Sequence, residues 1–316
     1  MKVIEHLQKA KEPLISFEVI PPKRGGDINQ LFSVVKEVMK YNPPFIDVTS
    51  HAAEVEYSET PDGIKKRIKR KRPGTIGISV AIKNQFSIDT VPHILCNGFS
   101  REETEDALIE LRYLGIENVL AIRGDELGYK KPIPDHKTQN VYAYELVEQI
   151  TNMNKGKYLE EDLLDAAPTD FCIGVAGYPE KHYEAANMTA EIQNAKRKID
   201  NGAHYLVTQL FYDNKKYFEY ADKCRKAGIN VKIIPGLKIL TAKTHLANIP
   251  KNFYVNIPEE LSGEISEAKP EHVMEVGARW TAKQVEELLN KKVPGIHFYI
   301  MQSAKPIHKM FQYLKP

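Results

Sequence analysis

The apolar positions of this chain switch repeatedly between two periods. Short β-branched runs are followed by longer stretches of helical spacing. The first run, Leu14 to Ile20, is stopped by Pro21-Pro22, because proline cannot donate to a strand ladder. Leu31, Val34, Val35, Val38 and Met39 then fall at helical spacing. The alternation predicts further strands at 44–50, 91–96, 117–123, 171–176, 204–209, 231–234 and 296–301. It predicts helices at 60–72, 101–114, 141–153, 184–201, 215–227, 241–248 and 273–289, three of them stopped by Gly115, Gly202 and Gly228.

Alternating strands and helices imply a parallel sheet. Eight strands without an evident linker predict an α/β fold, a single-domain (β/α)8 TIM barrel over residues 1–316, with an open doubly wound sheet as the alternative. Thr75 to Ile82 also reads as a strand, so an insertion is expected near 75–90. Long connections are expected at 126–140 and 154–170, and loops of that length usually carry function.

Composition narrows the class. With 44 Lys plus Arg against 42 Asp plus Glu, the net charge of +2 argues against a nucleic-acid binder held by bulk electrostatics. The basic run from Lys65 to Arg72 reads as an exposed helix face. Three scattered cysteines, Cys96, Cys172 and Cys224, make no disulfide framework and read as reduced thiols of a cytoplasmic protein. No apolar run is long enough to span a membrane, and the first residues do not read as a secretory signal. There is no dinucleotide-binding glycine fingerprint, no P-loop, no nucleophile elbow and no convincing metal-ligand spacing.

A barrel gathers its chemistry at the carboxyl ends of its strands. There the sequence places Glu18, Thr49-Ser50-His51, His93, Arg123-Gly124-Asp125, Tyr178, Gln209 and Ser303. Glu18 alternates with Phe17 and Val19, so it can be a carboxyl in an apolar barrel mouth. Burial would suit it to donate a proton near neutral pH, and a paired carboxylate is the alternative reading. Arg123 can pair with a phosphate. On the helix at 184–201, Glu191, Asn194 and Lys198 share one face, with Arg197 beside them.

These segments, in order, resemble the methylenetetrahydrofolate reductase family in its bacterial form. The resemblance is carried by Ser16-Phe17-Glu18 with Pro21-Pro22, Asp47-Val48-Thr49, Pro92 through Cys96, Leu120 through Asp125 and Tyr142-Ala143. It continues through Ala176 to His182, Lys196-Arg197-Lys198, Thr208 to Asp213, Ile233 to Gly236 and His297-Phe298-Tyr299. It implies an FAD-binding barrel in which NADH or NADPH reduces the flavin and 5,10-methylenetetrahydrofolate then takes the hydride, in ping-pong turns.

By the same resemblance Glu18 is the general acid, and Glu18, Thr49, Asp125 and Gln209 meet substrates. Ser50, Ala52, His93, Arg123, Gly124, Asp125, Tyr142, Ala143, Tyr178, His182, Glu191, Asn194, Arg197 and Lys198 hold FAD. A homo-oligomer is implied, with no metal, nucleic acid or membrane. The chain departs from the family pattern in having Glu191 for the usual Asp and Ser303, with Lys305 nearby, for an Arg. It also has no aromatic in 237–250, Phe253 coming later. Two other readings share the cradle: a proline-dehydrogenase-like flavin barrel, and a flavin-binding or partner protein without turnover.

Overall fold

The structure is a computed structural model that describes residues 1–69, 72, 74–124, 133 and 137–314. Eight parallel strands close on themselves: β1 (Leu14–Val19), β2 (Phe45–Val48), β5 (Asp89–Leu95), β6 (Asn118–Ile122), β7 (Cys172–Gly177), β8 (Tyr205–Leu210), β9 (Lys232–Leu237) and β10 (Gly295–Met301). Closure runs through β1, which pairs with β2 on one side and β10 on the other. The predicted barrel is therefore the fold, and no open sheet edge remains in it.

The strands alternate in two directions. Phe17, Val19, Ile46, Val48, Ile173, Val175, Leu206, Ile233, Ile296 and Phe298 belong to the main apolar cluster between sheet and helices. The opposite positions face the barrel axis. Near the amino-terminal end these are Phe45, Val91, Leu120, Cys172, Tyr205 and Ile234, covered by Val3 and Leu7 of helix α1 (Val3–Lys9). Nearer the carboxyl end they turn polar, and the candidate site lies there.

The outer ring consists of α2 (Ile28–Val38), α3 (Thr75–Phe86), α4 (Arg101–Tyr113), α5 (Ala143–Met153), α6 (Met188–Asp200), α7 (Asn214–Lys226) and α10 (Val273–Asn290). α8 (His245–Phe253) and α9 (Glu259–Glu267) intervene between β9 and α10, and α11 (Lys305–Phe311) closes the chain. Local signals set several boundaries. Asp27 caps α2 by accepting from Asn29 N, and Ser100 and Glu103 form a reciprocal capping box on α4.

Two sequence expectations are corrected. Of the helix expected at 60–72, the described residues 60–69 are strand and turn: β3 (Glu54–Thr60) and β4 (Gly63–Lys69) form an antiparallel ribbon joined at Pro61-Asp62. Ile64 and Ile68 imitate helical spacing, but Pro61-Asp62-Gly63 is a turn signal and Gly63 takes φ +124°. Residues 75–82 are not a strand, and 75–90 is not an insertion. They form α3 and the start of β5, one ordinary repeat of the barrel, and the β3–β4 ribbon is the added element. The 154–170 connection holds no helix or strand and lines a cavity of about 440 Å³ against Arg101, Glu105 and Gln149 on the barrel exterior.

Candidate active site

Glu18 is next to last in β1, in register with Asp47 on β2 and Tyr299 on β10. Its side chain lies in the barrel mouth and is 8% exposed. His93 Nε2, from β5, stands 3.5 Å from Glu18 Oε2 and 3.6 Å from Asp47 Oδ2. His297 Nδ1, from β10, stands 3.9 Å from Asp47 Oδ1 and 2.9 Å from Ser16 Oγ. Four strands thus converge on two carboxyls and two imidazoles. Neither oxygen of Asp47 has a hydrogen-bond partner among the described residues, although the side chain is 1% exposed.

Burial dominates the electrostatics here. It pushes the Asp47 carboxyl up to about 6, against the pull of His297. It pushes His93 and His297 down, so both imidazoles are neutral at neutral pH even with carboxylates beside them. Lys238, at the end of β9, is lowered by burial, with Glu18 opposing that shift.

The sign of the stability effect of Asp47 follows. Its folded value lies above the ordinary 3.8, so the folded state holds the proton more tightly than the unfolded one. Stability falls as pH rises from 3.8 to about 6 and is then level. Asp47→Asn removes that loss. The variant should be up to about 3 kcal/mol more stable than the parent at neutral pH, with no such gain under acid conditions below the ordinary Asp value. Denaturant melts at the two pH values measure it, and an equal effect at both would contradict the buried-charge account.

Glycines let tyrosine rings cross this wall. A Cβ on Gly174 would lie 2.4 Å from the Tyr205 ring, and one on Gly236 2.7 Å from the Tyr299 ring and 2.2 Å from Thr208 O. The Tyr299 hydroxyl thereby donates to Thr208 O at 2.6 Å, bridging β10 to β8 across β9.

The other predicted positions fall in two groups. Thr49 is buried directly after β2, its Oγ1 without a hydrogen bond among the described residues, and Ser50 and Ala52 follow, partly exposed. Gln209 is half-buried near the end of β8, its Oε1 accepting from Leu210 N.

Along the rim toward α6 lies the second group. Gly124, at φ +88°, follows β6, and its carbonyl accepts from Asn97 Nδ2 at 3.0 Å. Arg123 pairs with Glu184 and lies over the Tyr142 ring, 5.3 Å from its centroid. Tyr142 is exposed, and Ala143 begins α5. Tyr178 meets His182 edge to face at 4.8 Å, and the His182 backbone N–H donates to Glu191 Oε2 at 3.0 Å.

The α6 stripe is split. Glu191 and Lys198 are buried, whereas Asn194 and Arg197 are exposed. Lys198 donates to Ala176 O and stands 5.7 Å from the Tyr178 ring centroid. Burial pushes the Glu191 carboxyl up and the Lys198 ammonium down, each opposed by the other's charge. Glu191 Oε1 is buried without a partner among the described residues. Asp125 lies outside the described residues, as does most of the 126–140 connection.

Beside Lys238 a cavity of about 270 Å³ is lined by His245, Tyr299, Ser303 and Pro306. Ser303 thus shares a cavity with Lys238, and Lys305 is exposed at the start of α11. Phe253 packs partly buried among Tyr212, Leu240 and Ile249, away from Glu18. Sequence reading missed Asp47, His297 and Lys238 as site groups. Period-two alternation from Ser16 and Glu18, applied to β2 and β10, points Asp47 and His297 inward and was the available signal.

Fold and site define a closed (β/α)8 barrel with an acid–base cluster at its carboxyl-terminal mouth. The sequence profile described as "Methylenetetrahydrofolate reductase" matches residues 2–315, and the chain belongs to that family. It is 29% identical over 293 residues to 5,10-methylenetetrahydrofolate reductase of Pectobacterium carotovorum, covering 92% of this chain and 86% of the relative. It is 29% identical to methylenetetrahydrofolate reductase 1 of Schizosaccharomyces pombe, over 95% of this chain but only 45% of that protein. The chain thus spans about half the length of the yeast and plant relatives it matches. Among solved structures, an uncharacterized Clostridium thermocellum protein that binds two copies of 5-methyl-5,6,7,8-tetrahydrofolic acid shares the fold. Its TM-score is 0.57 at 13% identity, over 98% of this chain and 97% of that one.

Proposed function

We propose that this protein reduces 5,10-methylenetetrahydrofolate to 5-methyltetrahydrofolate. NADH or NADPH is the reductant, and hydride passes through FAD in alternating turns. The observation that carries the reading is the Glu18 carboxyl, buried in the barrel mouth of a member of this family and backed by His93 and Asp47.

The residues on the rim fit FAD. Glu191 Oε1 is a buried acceptor without a partner among the described residues. Lys198 is a buried cation, and the exposed Tyr142 ring stacks with Tyr144 under Arg123 on the same rim. An anionic, hydroxyl-rich, aromatic molecule satisfies all of these needs. Lys198 and Arg197 would meet its phosphates, Glu191 and Asn194 its hydroxyls, and Tyr142, Ala143, Tyr178, His182, Gly124, His93, Ser50, Ala52 and Asp125 its rings and edges. Arg123 joins them when Glu184 releases it. When bound, FAD supplies the hydride-transfer chemistry.

The protein's own work is acid–base and positional. Glu18 delivers a proton to the nitrogen of the methylene bridge, so that the bridge opens to an electrophilic iminium on the folate. His93, neutral and 3.5 Å away, relays the next proton to Glu18. Gln209 meets folate and nicotinamide in turn, and Thr49 meets the nicotinamide. The pterin ring of the folate takes its place in the mouth between these groups.

The purified protein should be yellow. NADH or NADPH should bleach it without oxygen, and 5,10-methylenetetrahydrofolate should restore the colour. A preparation that takes up no FAD, or reduced flavin that only proline-type substrates restore, would rule the reading out. Lys198→Met should weaken FAD binding about tenfold or more, read by titrating flavin into the apoprotein.

A further inference from the structure

Asp47 is buried beside Glu18, and the chemistry of the mouth leaves it without a task. Alternation along β2 sends Ile46 and Val48 outward into the main apolar cluster and turns Phe45 and Asp47 toward the barrel axis. Register then sets Asp47 next to Glu18 of β1, one strand spacing of about 4.8 Å away. The two residues are 1% and 8% exposed. Neither Asp47 oxygen has a hydrogen-bond partner among the described residues, and His93 Nε2 has none either. A buried carboxyl held in this way costs stability that an amide or an apolar side chain of similar size would spare.

Groups face Asp47 from the strands around it. Glu18 stands on β1, His93 on β5, His297 and Tyr299 on β10, and Tyr205 on β8. Burial keeps both imidazoles neutral at neutral pH and holds both tyrosine hydroxyls protonated. Lys238, on β9, acts on Glu18, and its ammonium favours the Glu18 carboxylate. Alone with that cation, Glu18 would lose its proton early. Asp47 opposes this. Two carboxyls so close in a buried site do not both ionise near neutral pH, and the loss of one proton makes the second harder to remove. His93 Nε2 stands between them, 3.5 Å from Glu18 Oε2 and 3.6 Å from Asp47 Oδ2.

Given the proposed reduction of folate in this mouth, we propose that Asp47 and Glu18 hold one proton in common, that His93 Nε2 carries it between them, and that it is the proton Glu18 gives to the bridge nitrogen. A substrate ring lying over Glu18 strips its remaining water and favours the neutral carboxyl there, which leaves the charge on Asp47. His93 Nε2 takes the proton from Asp47 Oδ2 and passes it to Glu18 Oε2, a small turn of the ring closing each gap in succession. Glu18 gives it to the bridge nitrogen, and the C–N bond of the bridge breaks with its electron pair going to that nitrogen. Both carboxyls then stand ionised, and one proton from solvent restores the pair as product leaves. Asp47 touches no substrate and acts through Glu18.

Stopped-flow reoxidation of the reduced, FAD-loaded protein by 5,10-methylenetetrahydrofolate, from about pH 5 to about pH 9, tests this. Asp47→Asn should move the alkaline fall of that rate about one pH unit or more lower. It then loses about tenfold or more at the alkaline end and little at the acid end. Asp47→Leu, which lacks a dipole as well as a charge, should shift the fall alike. Flavin reduction by NADH or NADPH sends no proton through Glu18, and its pH profile should not move with that of the folate step. A fall that stays at its parent position, or a loss of equal size at every pH, would overturn the proposal and leave Asp47 a packing group. Reduced parent flavin that the folate reoxidises at no pH would instead sink the proposed function, and the shared proton with it.

Discussion

On the proposed function, Glu18→Gln should lose most of the folate reduction while flavin reduction by NADH or NADPH survives. The amide is isosteric, so the packing against His93 and Tyr299 and the β1–β10 pairing remain. It has no acidic proton to give. General acid catalysis is worth roughly 10²- to 10⁴-fold, and that is the expected loss in the folate half-reaction. The flavin half-reaction transfers hydride without opening a bridge and should change less than about tenfold. Stopped-flow absorbance separates the two. Equal loss in both would make Glu18 a structural or flavin-binding group.

Gly277→Ala in α10 should destabilise the barrel, against the usual preference of helices for alanine. That preference is worth about 1 kcal/mol. Here a Cβ would stand 2.0 Å from Leu240 O, a backbone atom that cannot rotate away. The overlap costs about 1–3 kcal/mol net. Leu240 closely follows Lys238, so the displaced segment also disturbs the cation beside Glu18. Gly263→Ala in α9 is the control: nothing lies within 4 Å of its Cβ position, and the residue is exposed. It should gain up to about 1 kcal/mol. Denaturant unfolding of both variants reads opposite signs, and a stabilised Gly277→Ala would show that helix and loop can part at no cost.

The barrel was legible because its strands are apolar on both faces and its helices are not, a contrast that needs no tertiary knowledge. Where that contrast fails, the reading failed. β4 is exposed throughout, so nothing marks its period except two isoleucines four apart. α3 is rich in β-branched residues and reads as a strand, yet Ser79 bonds back to Thr75 O and Ile82 packs into the core as a helix requires. α9 has too few apolar residues to declare itself.

The site divides in the same way. Glu18, His93 and Thr49 stand at strand ends, which chain order reveals. The meeting of Asp47 with His297 depends on β2 and β10 flanking β1, that is, on closure between residues 250 positions apart in the chain. No local pattern carries that. The α6 stripe was visible as spacing, but its division into a buried Glu191 and Lys198 and an exposed Asn194 and Arg197 depends on what β7 sets against it.

The tyrosine rings laid over glycines give the barrel wall a constraint on how it can change over generations. Gly174 with Tyr205, Gly177 with Tyr220 and Gly236 with Tyr299 are each a vacancy on one element filled from another. A side chain gained at the glycine collides with the ring, and a ring lost leaves the hole, so either change alone is selected against. The first two pairs should therefore persist as units or be exchanged as units, whereas Gly236 is held in addition by Thr208 O, 2.2 Å from its Cβ position.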